Sequence, residues 1–96
     1  MEQKKRKIDR GWREQLLTLV NGWDPAGLLE AGAPRDEYDW ILDPLLGLLS
    51  RGATTEEIAQ FLENETLTHF GVRAKGAAQF ATKAVSWYRI ASAERA

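Results

Sequence analysis

Apolar residues recur at intervals of three and four along most of this chain, and nowhere do they alternate over a strand's length. That spacing allows helices and excludes hairpins and sheets built on period-two alternation. The expected fold is therefore all-α: a compact bundle of about four main helices joined by short connections, with a short extra turn after the first. At 96 residues the chain makes one domain with a modest core. We assign residues 1–7 to a basic N-terminal tail without an apolar face, and residues 8–93 to the helical domain.

Along the first helix the stripe reads Ile8, Trp12, Leu16, Leu19/Val20 and Trp23, and Asn21-Gly22 supplies a stop signal. Asp24-Pro25 then reads as the start of a short helix, closed by Gly32 and Pro34, whose Leu28 and Leu29 fold back on the first. The next helix is expected to open at Pro34-Arg35-Asp36-Glu37, with acids in its first turn. Tyr38, Ile41, Leu42, Leu45, Leu48 and Leu49 form its stripe. Pro44 interrupts that stripe, either as a kink or as the first position of a new helix capped by Asp43. The stripe continues in phase on both sides, which favours a proline kink in this second main helix. Thr54 and Glu57 fit a capping box, Ile58, Phe61 and Leu62 follow on one face, and Gly71 fits a C-cap. The last helix is placed at about residues 75–93 on an alanine-rich stripe. Trp12, Trp23 and Tyr38 are assigned to the core, whereas Trp87 lies off its stripe.

Charge is unevenly laid out. Residues 1–10 balance to +3, residues 24–65 set ten acids against Arg35 and Arg51 for −8, and residues 66–96 balance to +4. Such polarity steers partners and does not dictate fold. The chain has no cysteine, which removes disulfides, thiol catalysis and cysteine-ligated metal. It has no apolar run of membrane-spanning length and no apolar segment behind the basic N-terminus. We expect a cytoplasmic protein with no membrane association.

The order Trp23-Asp24-Pro25, then Asp36-Glu37-Tyr38-Asp39 with Pro44 behind it, then His69-Phe70-Gly71 is similar to a small bacterial family of unknown function, the domain-of-unknown-function family eighteen seventy-one. The likeness spans roughly residues 12–72. It implies a small cytoplasmic helical protein and no activity, cofactor or known site.

Three functional classes can be weighed. For an enzyme, the single histidine, His69, has no serine or acid at triad spacing. Asp36 with Asp39, and Asp39 with Asp43, share a helical face, but solvated helix faces carry such pairs routinely. No catalytic residue, metal or cofactor is expected. For nucleic acid, Thr54 to Leu62 resembles the first helix of a helix-turn-helix, and Arg73, Lys75, Lys83 and Arg89 are basic. However, Glu63-Asn64-Glu65 continues the helix where the turn belongs, and its acids repel phosphate. A protein-interaction module fits better. Asp36, Glu37, Asp39 and Asp43 surround Trp40, which lies off the leucine stripe, and this acidic aromatic face suits a basic protein partner. An immunity or inhibitor protein against a basic toxin is one form of that reading.

Overall fold

The computed structural model describes residues 10–95; the expected basic tail and Ile8 lie outside them. Four α-helices occur in this range: α1 (Arg10–Trp23), α2 (Leu42–Ser50), α3 (Thr55–Phe70) and α4 (Ala77–Arg95). A 3-10 turn, Asp39–Ile41, leads directly into α2. There is no strand among the described residues. The all-α expectation holds.

The core is drawn from every helix. Leu16 and Val20 of α1, Leu42, Leu45, Leu46 and Leu49 of α2, Ile58 and Leu62 of α3, and Ala77, Phe80, Ala81 and Ala84 of α4 are all buried in one cluster. Burying each leucine stabilises the fold by about 1.5–3 kcal/mol before entropy is charged against it. α3 and α4 pack most extensively on each other. The alanine stripe of α4 explains this, since small side chains let two helix backbones approach. Trp12 and Trp23, expected in the core, are instead half-buried and pack against it from outside, Trp12 edge-on to Tyr88 at 5.3 Å and Trp23 flat on Phe80 at 4.4 Å between ring centres. Trp87 finds its explanation across the bundle, where its Nε1–H donates to Oε1 of Gln15 at 2.8 Å.

Both signals that bound α3 work as read. Thr54 Oγ1 accepts the Glu57 N–H at 3.1 Å, and Glu57 Oε1 accepts the Thr54 N–H at 2.8 Å, a complete capping box. Gly71 ends the helix at φ 72° and donates its N–H to the Leu67 carbonyl. Between them α3 runs unbroken for 16 residues, through Glu63, Asn64 and Glu65.

The stretch between α1 and α2 departs from expectation in three ways. Asn21-Gly22 does not stop α1, which continues to Trp23 and ends on Asp24 at φ 52°. Aspartate tolerates this left-handed backbone because its short carboxylate can bond locally. Second, no helix starts at Asp24-Pro25. Residues 25–32 form successive turns, with Gly27 at φ 71°, a conformation a continuing right-handed helix cannot contain. Leu28 and Leu29 still pack against the core.

Third, the helix expected from Pro34 begins only at Asp39, so Asp36 and Glu37 lie in the turn before it. Pro44 consequently stands in the first turn of α2 instead of mid-helix. A change of helix type takes the place of the expected kink. Proline cannot donate to the Trp40 carbonyl and crowds it. The 3-10 bonds from Ile41 N to Tyr38 O and from Leu42 N to Asp39 O need no proton from residue 44.

Candidate functional site

The turns between α1 and α2 are closed from within by two side chains. Tyr38 is buried, and its hydroxyl donates to Asp24 Oδ1 at 2.6 Å. The same hydroxyl oxygen accepts the N–H groups of Ala26 at 3.0 Å and Leu28 at 3.3 Å. Asp24 in turn accepts the N–H groups of Leu29 at 3.1 Å and Glu30 at 3.0 Å. Four backbone N–H groups of an irregular segment are thereby satisfied around one carboxylate and one phenol. Desolvation pushes the Asp24 carboxyl up, but the bonds from Tyr38, Leu29 and Glu30 outweigh it and hold the group below its ordinary value. Burial, reinforced by the Asp24 carboxylate, pushes the Tyr38 phenol up.

On this support stands the acidic surface anticipated from the sequence. Asp36 is exposed and Glu37 half-buried in the turn; Asp39 and Trp40 are half-buried in the 3-10 segment; Asp43 is exposed on α2. Of these five residues, Asp39 and Asp43 are brought together by a shared partner. Arg13 of α1 reaches Asp39 with Nη1 at 3.2 Å and Nη2 at 3.4 Å, and reaches Asp43 with Nε at 2.9 Å. The hydrogen bonds to Asp43 and then Asp39 raise the guanidinium pKa. Exposed pairs of this kind contribute less than about 1 kcal/mol. The local effect is to cancel one negative charge and to fix both carboxylates, leaving Asp36 and Glu37 as the unpaired acids of the cluster.

Trp40 is neither free nor fully packed away. Its indole lies flat on the imidazole of His69 from the last turn of α3, with centres 3.8 Å apart and planes 23° apart. Phe70 approaches the indole at 5.9 Å, and Phe70 also meets Tyr38 edge-on at 5.8 Å. His69 Nε2 lies 3.4 Å from Glu65 Oε1, an ion pair when the ring is protonated. A row of rings therefore runs from buried Tyr38 through Phe70 to half-buried Trp40.

Sequence reasoning located the acids and Trp40 but missed Arg13, His69 and Glu65 as their partners. One signal was available for Arg13, the only basic residue between positions 11 and 23. Nothing local marks His69, which is brought to Trp40 by the tertiary fold. Among the described residues no group of three or more His, Cys, Asp or Glu side chains is arranged to hold a metal. No described helix is long and apolar enough to cross a membrane.

The described residues form a small all-α bundle. No protein-family model, no curated protein and no solved structure matches the chain.

Proposed function

We propose that the chain is a non-enzymatic, cytoplasmic protein-interaction module that meets a basic protein through Asp36, Glu37, Asp39, Trp40 and Asp43. One observation supports the reading: the Trp40 ring is held flat against His69 and half-buried, next in the chain to Asp39, which shares Arg13 with Asp43. A ring already fixed in place loses little conformational freedom on binding, which is what an interface anchor requires. The surrounding carboxylates favour encounter with a cationic surface. The unbroken α3 and the acids along it count against the helix-turn-helix alternative. The immunity or inhibitor form of the reading differs only in the partner, a basic toxin.

The test is paired affinity capture with the wild-type chain and with an Asp36→Lys/Glu37→Lys version as baits. Those two positions carry no part of the Arg13 bridge, so the reversed bait keeps the fold. A basic protein retained by the first bait and lost from the second supports the reading. Equal capture on both baits, or recovery of nucleic acid alone, refutes it. For the captured partner, Trp40→Ala should speed dissociation by roughly 30-fold, equivalent to about 2 kcal/mol.

A further inference from the structure

α1 carries a second surface that the acidic ridge does not use. Arg13 and Gly22 lie roughly 180° apart around the helix at about 100° per residue, so Gly22 faces away from the ridge. There a groove of about 470 Å³ opens between α1 and α4, lined among others by Leu19, Gly22, Trp23, Gln79, Phe80 and Lys83. Its wall is a rigid aromatic plate. Trp23 is stacked on Phe80 with planes 12° apart, and its Nε1–H is tied to the Lys75 carbonyl at 2.7 Å.

Gly22 is the second observation. It is the penultimate residue of α1. Its φ is not left-handed, and an added Cβ would meet nothing within 4 Å. Neither backbone conformation nor packing requires glycine here. What its missing side chain does is leave the groove open.

Charge sets the class of ligand. No acidic side chain lines the groove. Lys83 projects at its edge, and no carboxylate among the described residues pairs with it. Gln79, Phe80 and Lys83 follow one another at helical spacing from the start of α4, whose first turn contains no acid. The positive end of that helix and the ammonium therefore act in the same sense.

We propose that this groove binds a small planar organic anion, its apolar body against the Trp23 indole, which the buried Phe80 backs, and its carboxylate toward Lys83. The test uses 2-naphthoate as probe, titrated into the full ¹⁵N-labelled chain and followed by amide and indole chemical shifts. Saturable shifts should appear at the Trp23 indole and along residues 18–23 and 76–83. Lys83→Met should weaken binding about fivefold, and 2-naphthalenemethanol should bind the wild type less tightly than 2-naphthoate by a similar factor. Gly22→Leu should fill the groove and abolish the shifts while leaving the dispersed spectrum of a folded protein; Gly22→Ala, with a smaller side chain, should fold equally well and weaken binding in part. Shifts elsewhere on the surface, equal binding of 2-naphthylmethylammonium, or full binding by folded Gly22→Leu would each overturn the proposal.

Discussion

The two halves of this bundle are held by different physics. The α3–α4 pair is regular, with α3 bounded by a capping box and a left-handed glycine, and its interior is apolar except for Thr66, whose buried hydroxyl donates to the Leu62 carbonyl. The segment from Asp24 to Ile41 is mostly turns; the carboxylate of Asp24 and the hydroxyl of Tyr38 satisfy four of its backbone donors, and turn carbonyls accept others. Apolar packing is non-directional and tolerates relaxation, whereas a shared carboxylate fails as a unit when it is removed. The candidate binding ridge is built on the second kind of support.

That contrast can be broken most strongly from the apolar side. Leu62→Ala opens a fully buried site in α3 and should cost about 3 kcal/mol, within the 2–5 kcal/mol range of such truncations. Denaturant unfolding should show it as a global loss, with amides in α1 through α4 exchanging faster together. Asp24→Ala should cost somewhat less, about 2 kcal/mol, because it strands the Leu29 and Glu30 N–H groups and the Tyr38 hydroxyl and places alanine at φ 52°. Here hydrogen exchange should rise chiefly over residues 24–41. A uniform rise would show the two regions to be one cooperative unit.

Acid sharpens the same comparison. The Asp24 carboxyl has a lower pKa folded than unfolded, so the unfolded chain binds its proton more readily. Its contribution is fully present above the unfolded value of about 4 and is lost as pH falls through the folded one. Thermal melts of the wild type should therefore fall more steeply below about pH 4 than those of Asp24→Asn. Parallel curves would remove Asp24 from the account of acid stability.

The smallest effect belongs to Arg13→Ala, expected to cost less than about 1 kcal/mol because its pairs with Asp39 and Asp43 are largely exposed. It leaves the ridge one charge more negative. Association with a basic partner should speed up at low salt while dissociation changes little, readable by surface-binding kinetics. Slower association would mean that Arg13 orders the carboxylates more than it screens them.

How much of this was legible depends on where each cause lies along the chain. Thr54 with Glu57, and Gly71 after Phe70, act over one helical turn, and the sequence shows them directly. Asp24 reads locally as a helix start beside Pro25, but the groups that decide its conformation are five to fourteen residues away. Gly22 reads as a stop, yet α1 continues until Trp23 is placed on Phe80, a contact no local signal announces. Tyr38 reads as core from its place on the stripe, whereas its hydroxyl's partners lie ten to fourteen residues away. The acids of the ridge were visible as a charge block; their neutralisation by Arg13 and the stacking of Trp40 on His69 belong to the tertiary fold.

The Asp24–Tyr38 bond also has a use in protein engineering. It ties together the two ends of a loop whose tip, Glu30 to Gly32, is exposed. Sequence inserted there lengthens a loop that is already closed at its base, and each doubling of loop length costs only about 0.6 kcal/mol. The tip is thus a permissive position for an epitope or a reporter, remote in chain from the regular helices and anchored beside the ridge whose partner it would help to find.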